Sequence, residues 1–425
     1  MRRGFLATLV VALLLFSAAT LMIVPQLSHA TTINWSALHG TSYNWSPIWK
    51  DIGGGTPKPS ISFPAMASSG FNFDEQEITW NTYDNATLGG SVQYLNELEW
   101  IAGNASANGM FVVYDFGSND CTLFPANVLS ASHIPCDTAA HDNEFLASFE
   151  ANNFTIDSLS IWKYTMSEFW GPIIVATQGY SSTIGYELMD EPPQYTASNG
   201  TDLLQNMQTW FATQVRSQTG LAIVVGSPSF DTEPSQDQPP ASVCLAGGST
   251  CVLDVHYYAA WAGNPASVPS NSTILNQFDS WASVAKGAGY PMITSQWGVC
   301  SSENSCYGWS NTTVRDLIDT IALAAHQNNL GMSWWFWNCQ EGSNDLQSLV
   351  SASGCSTNGS DSLRQMVEYA YGLINWGPVT PTVSTTTSTT TITTVFTTIS
   401  QIQSTTLAET CQVVAQNNVQ TVTCQ

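Results

Sequence analysis

The chain has 425 residues, 43% of them hydrophobic and 16 of them tryptophan, enough for one large core with appendages or for two smaller ones. Its 32 carboxylates against nine Lys and Arg give a net charge of −23, which makes nucleic acid and anionic membrane surfaces poor partners. Once the carboxylates are protonated only those nine bases and six histidines carry charge, so acid adds little self-repulsion and an acidic extracellular habitat is expected.

Arg2 and Arg3, an apolar run from Phe5 to Val24, and the small-x-small set Ser28-His29-Ala30 predict an export signal over residues 1–30, with an uncleaved anchor as the rival. Export agrees with ten cysteines and nine Asn-x-Ser/Thr sites, among them Asn34, Asn85, Asn153 and Asn311. The cysteines fall in close sequential pairs: Cys121/Cys136, Cys244/Cys251, Cys300/Cys306, Cys339/Cys355 and Cys411/Cys424. These suit disulfides that staple loops, with connectivity left open. No pair has zinc-site spacing with partner histidines, and no cofactor is expected.

Predicted strands fall at residues 33–45, 70–80, 110–116, 184–190, 221–226, 251–258, 291–298 and 331–337. Helical patterns at 64–69, 91–108, 158–177, 202–219, 272–287, 314–328 and 361–371 lie between or after them. Strands alternating with helices call for a parallel sheet, and eight such units over residues 31–375 fit a closed (β/α)₈ barrel. A doubly wound open sheet is the rival, but no Gly-x-Gly-x-x-Gly follows the first strand. Residues 376–409 are rich in Thr and Ser and predict a disordered stalk. Residues 410–425 hold Cys411 and Cys424, a small hairpin or an attachment point to the cell envelope.

The chemistry concentrates at Ile184-Gly-Tyr-Glu-Leu-Met-Asp-Glu-Pro-Pro193, an apolar strand ending in two adjacent carboxylates and stopped by proline. This stretch resembles the fourth strand of family 5 glycoside hydrolases, whose motif ends in Asn-Glu-Pro. By that resemblance Glu191 takes the acid/base position and Asp190 replaces the asparagine. Asp254-Val-His-Tyr-Tyr258 is similar to the sixth-strand His-x-Tyr, which implies substrate-binding roles for His256 and Tyr258. Ser333-Trp-Trp-Phe-Trp337 is similar to the eighth strand, with Trp335 as the sugar platform. Trp80 and Trp297 are further candidates for stacking on sugar rings, whose apolar faces suit aromatic surfaces.

The chain departs from the family at strand seven. Pro291-Met-Ile-Thr-Ser-Gln-Trp-Gly298 puts Gln296 where the resemblance expects the nucleophilic glutamate. A neutral amide cannot form the glycosyl ester. An ungapped alignment of the second strand places Glu75 at the family's arginine, and Asp115-Phe-Gly117 stands where the family has a histidine. Two readings follow. Either Glu75 supplies the second carboxylate from another strand, or the barrel keeps a sugar cleft without hydrolysis and binds carbohydrate at the cell surface. Asp190 beside Glu191 raises the acid's pKa by like-charge repulsion, and in acid it can itself be protonated and donate. The expected protein is a secreted monomer acting on β-linked glucan or mannan.

Overall fold

The computed structural model describes residues 31–43, 59–78, 90–116, 165–192, 203–234, 239–246, 250–260, 267–300, 309–335, 360–377, 411–416 and 419–424, with isolated residues and two-residue strands between them. Eight parallel strands close into a barrel in chain order: β1 (His39–Thr41), β2 (Phe73–Ile78), β3 (Phe111–Phe116), β4 (Thr183–Glu187), β5 (Ala222–Val225), β6 (Cys251–Ala260), β7 (Met292–Cys300) and β8 (Gly331–Trp334). Among the described residues the longer helices outside them are α1 (Pro59–Ser68), α2 (Gly90–Ala107), α3 (Gly171–Thr177), α4 (Leu203–Arg216), α5 (Asn271–Ala288), α6 (Asn311–Gln327) and α7 (Ser360–Gly372), with single turns at Pro228–Asp231 and Ala241–Cys244 after β5. This is the (β/α)₈ barrel that the alternation predicts.

Local sequence accounts for the helix ends. Ser270 and Ser310 cap α5 and α6, each side chain accepting the backbone N–H three residues on, from Thr273 and Thr313 at 3.2 Å. Gly289 closes α5 in the left-handed conformation that favours glycine. Two expectations need correction. Trp35–Ala37 is a turn of 3₁₀ helix, because Trp35 folds into the barrel floor, so β1 is shorter than the run 33–45 suggests. Leu159–Ser160 pairs antiparallel with Thr155–Ile156, and the helix of that region begins as a π-helical segment at Met166–Trp170.

The cysteine pair Cys244/Cys251 forms a disulfide beside β6. Thr31–Thr32 pairs with Thr382–Val383. In the separate C-terminal unit, Cys411–Gln416 and Val419–Cys424 pair antiparallel, with Cys411 opposite Cys424. Residues 1–30, the Thr-rich run 384–410, Asn85, Asn153 and at least one partner of each of the pairs Cys121/Cys136, Cys300/Cys306 and Cys339/Cys355 lie outside the described residues.

The barrel interior has two layers of opposite character. The floor is apolar: Trp35, Leu38, Phe73, Val113, Ile184, Ala222, Val224, Val252 and Ile293 pack together. Alternation then puts the next inward positions two residues further along each strand. From Phe73 that position is Glu75, from Val113 it is Asp115, from Val252 it is Asp254, and from Ile293 it is Ser295. Glu187 joins this layer, opposite Asp115 in the β3–β4 register. Glu75, Asp115, Glu187 and Asp254 are all at most 1% exposed. Glu75 Oε2 accepts from Ser42 Oγ at 2.7 Å, while both carboxyl oxygens of Asp115 and both of Glu187 find no hydrogen-bond partner.

Carboxylates in such a place cannot all be charged. Burial, then the charge of Asp254, pushes Glu75 up to about 8. Burial, then Asp190 for Asp115 and Asp254 for Glu187, holds those two well above the carboxylate range. Glu75, Asp115 and Glu187 each offer an oxygen within 4.8 Å of the others.

Two predictions follow from this interior. Raised folded pKa values mean that the folded chain keeps protons the unfolded chain has lost. Their stabilisation is full below the unfolded carboxylate values near 4 and is lost as pH rises through the folded ones. The thermal midpoint therefore falls between pH 4 and pH 8, and Glu75→Gln flattens part of that fall; a midpoint that rises or stays level over this range contradicts it. The second concerns β1 against β2. A Cβ on Gly40 would lie 1.8 Å from the Phe73 carbonyl oxygen. Gly40→Ala is expected to cost about 3 kcal/mol in a denaturant titration, the upper end for overpacking.

Candidate active site

The strand ends opposite the apolar floor carry the reactive groups, as a (β/α)₈ barrel requires. β4 stops at Glu187, and the chain passes through Leu188, Met189 and Asp190 to Glu191. The Asp190 N–H donates to the Phe116 carbonyl at 3.0 Å, which pins the loop to the end of β3. Glu191 has φ 45° and precedes Pro192. A left-handed non-glycine residue costs on the order of 1–3 kcal/mol, and a following proline restricts it further. The compensating contact comes from Asp231, just beyond β5, whose Oδ2 accepts the Glu191 N–H at 2.6 Å. Its Oδ1 accepts from the Ser227 N–H, and its own φ is 55°. Gly226 makes room, since a Cβ there would lie 2.2 Å from the Met189 carbonyl oxygen.

His256, inward on β6, is the hub. It is fully buried, and Nδ1 lies 3.1 Å from Glu191 Oε1. Nε2 lies 3.2 Å from Asp254 Oδ2 and 3.2 Å from Ser295 Oγ, with Asp190 Oδ1 at 3.6 Å and Asp231 Oδ2 at 3.7 Å. Burial alone would lower the imidazole pKa. Asp231, Asp254 and Glu191 together outweigh it and hold it well above the usual histidine value, so the ring is a cation. Among the described residues, every ion pair to these carboxyls comes from this one ring. Asp254 is itself positioned by the Ser295 N–H at 2.9 Å and by the Ser295 hydroxyl.

Asp190 is buried, and its carboxyl is pushed well up, first by burial and then by the Glu191 charge. Gln296, 4% exposed, turns its amide Nε2 onto Asp190 Oδ1 at 3.2 Å, and its Oε1 lies 3.5 Å from the Tyr258 hydroxyl. A β-bulge brings Gln296 to this side: the β6–β7 register shifts between Ile293 and Gln296. The same bulge turns Trp297 into the wall, where it packs edge-on against Trp334 and donates Nε1–H to the Tyr371 hydroxyl at 3.0 Å. Trp297 is fully buried, so the sugar-stacking role expected of it is lost. Trp335 is partly exposed and Trp80 lies outside the described residues.

Glu75 sits in the layer beneath, with the His256 ring next to it and Glu191 on the ring's Nδ1 side. At 1% exposure it has no surface to offer a sugar, so the structure makes it a buried member of the carboxyl layer rather than an open partner of Glu191. Two residues further along β2 is Glu77, on the same inward face and partly exposed. Burial, then the Glu191 charge, raises its carboxyl to about 7. The side chain of Glu191 is 13% exposed. Among the described residues, Glu191 and Glu77 are acidic residues of this end that are not fully buried.

Sequence reasoning missed Asp231, Asp254, Ser295 and Glu77. The spacing Asp254-x-His256 and the spacing Phe73-x-Glu75-x-Glu77 carried the signal for two of the four, since inward parity on β6 and β2 follows from it. A large cavity of about 1180 Å³ lies at the other end of the barrel, ringed by Trp35, Thr183, Ala222, Thr250, Met292 and Leu330. Its size does not make it the site, because no reactive carboxyl of the barrel interior borders it.

Solved structures share this architecture at low identity. A broad specificity endoglucanase from Bacteroides salanitronis superposes with a TM-score of 0.56 at 12% identity, over 82% of this chain and 97% of that one. One from Clostridium acetobutylicum gives 0.54 at 13%, over 78% and 96%. A hyperthermophilic endo-beta-1,4-glucanase solved in complex with substrate gives 0.52 at 13%, over 78% and 97%. No curated protein is a match for the chain. The sequence profile of cellulase (glycosyl hydrolase family 5) matches residues 33–341, more than half of the chain and all eight barrel strands. The chain belongs to glycosyl hydrolase family 5, the cellulase family.

Proposed function

We propose that the protein is a secreted glycosidase that hydrolyses β-linked glucan or mannan, with Glu191 as its general acid/base group. The observation that carries this reading is the pairing of Glu191 with the His256 imidazolium at 3.1 Å, at the strand ends of a family 5 barrel. A carboxyl group held by a cation on one side and open on the other is oriented for proton transfer. Trp335, partly exposed, and Tyr258, whose hydroxyl lies 3.5 Å from Gln296 Oε1, are read as the aromatic surface for the sugar, and Asp190, if neutral in acid, as a hydroxyl donor where the family has an amide. Export is supported by the leader-like pattern of residues 2–30, and attachment to the cell envelope by the Thr-rich stretch before the terminal strands. The raised carboxyls suit an acidic working range.

A second reading is favoured by Gln296. An amide in the nucleophile position and bonded to Asp190 fits a barrel that binds β-glucan without cleaving it. Release of reducing ends from soluble β-1,4-glucan and β-mannan at pH 3 to 6 separates the two. The hydrolase reading expects release by the wild type and a rate lower by 10²- to 10⁴-fold in Glu191→Gln, the usual range for a lost proton-transfer group. Equal rates in the two proteins contradict the assignment of Glu191. Binding of the polymer with no release by the wild type leaves the silent barrel.

A further inference from the structure

On the outside of the barrel, α2 buries Tyr94, Leu98, Ile101, Ala102 and Ala105 along one side. The opposite side of such a helix is normally polar. Here it carries Trp100, 39% exposed, and among the described residues no other tryptophan is so exposed. A single exposed apolar side chain needs no explanation in itself, so the surroundings decide what this one means.

Trp100 lines a pocket of about 400 Å³ together with Asn96, Glu99, Gly103 and Asn104 of the same helix and Tyr180 of the turn before β4. The spacings 96, 99/100 and 103/104 follow the helical repeat, so these positions share one face of α2. Glycine inside a helix costs up to about 1 kcal/mol against alanine. At Gly103 it leaves room for the Tyr180 ring, whose Cε1 would lie 3.6 Å from a Cβ there. The turn is bolted to the helix. The Ser182 N–H and the Ser181 hydroxyl donate to Ser106 Oγ at 3.1 and 3.3 Å, and the Ser182 hydroxyl donates to the Ala102 carbonyl at 2.8 Å. Asn104 is fixed by its own amide, which donates to the Trp100 carbonyl at 2.8 Å. The backbones that carry the two rings are therefore held in place without a ligand, which lowers the ordering cost of binding one.

The chemistry of the lining selects the ligand. It contains no Lys, Arg or His, so nothing in it recognises an anion. Two aromatic rings offer apolar faces, the carboxamides of Asn96 and Asn104 both donate and accept, and the Glu99 carboxyl accepts from hydroxyl groups. A neutral ring with an apolar face and a rim of hydroxyls matches that set, and a pyranose is such a ring. We propose that this pocket is a second carbohydrate-binding site, which holds a β-linked glucan or mannan chain on Trp100 and Tyr180. The ligand class rests on the hydrolase reading, whereas the place is new. Tyr180 precedes β4 at the end of that strand opposite to Glu191. A short glycoside in the cleft does not reach the pocket, but a polymer surface presents chains to both. Attachment at two points then strengthens binding to the polymer without any change in the cleft.

Two measurements on the full chain test this: retention on insoluble β-1,4-glucan and β-mannan, and kcat/KM on soluble aryl β-cellobioside and β-mannobioside. Trp100→Ala is expected to raise the Kd for the polymer about tenfold or more and to leave turnover of the soluble glycoside within about twofold of the wild type. Trp100→Phe, which keeps a ring, is expected to lose less of the binding. Equal retention of the wild type and Trp100→Ala overturns the second site and leaves the hydrolase reading standing. So does a wild type that turns over a soluble glycoside and is retained by neither polymer. Parallel loss of retention and of soluble turnover in Trp100→Ala assigns the residue to the fold and also overturns the site. A wild type inactive on both glycosides but retained through Trp100 supports the site and overturns the hydrolase reading alone.

Discussion

The structure depends on how one imidazole compensates a barrel full of carboxyl groups. His256 is the cation to which Asp190, Glu191, Asp231 and Asp254 all turn, and beneath it lie Glu75, Asp115 and Glu187 with little or no hydrogen bonding. Removing an ionised carboxylate from water without a partner costs many kcal/mol, far more than the whole stability of a domain. One positive charge cannot neutralise seven negative ones. The remainder is relieved by keeping protons, and the raised values of this layer express that. The shortage of Lys and Arg in the sequence and the raised carboxyls of the barrel interior act in the same direction, since both leave the chain with little charge at low pH.

This arrangement also shapes the site. The Gln296 amide serves Asp190, and Glu191 keeps part of its side chain at the surface. The left-handed backbone at Glu191, held by Asp231, sets that side chain at the mouth. Strain at that residue is compensated by a buried carboxyl group that has no other apparent task than to hold the loop and face His256.

Much of the fold was legible because its periodicities are strong. Eight apolar runs separated by helical patterns led to the barrel, and the motif around Glu191 led to the correct end of it. The failures have physical causes. Trp297 was a stacking candidate as an aromatic next to Gln296, and a register shift that no residue in Thr294-Ser295-Gln296 announces sets it in the wall. Asp231 was not legible because it acts on a backbone N–H 40 residues away, a contact without a side-chain signature. Glu75 came from an ungapped alignment, which carries no information about depth along β2, and Glu77 two residues on was not considered. Both face inward, and only the height along β2 separates a buried group from one at the mouth.

The central claim is that protons, held by the folded chain, neutralise the interior. Potentiometric difference titration of the folded and the unfolded chain tests it most directly, because it counts those protons without reference to activity or to a melting temperature. At pH 6 the account predicts that the folded chain binds several more protons than the unfolded chain. Equal binding, or fewer protons on the folded chain, would contradict it.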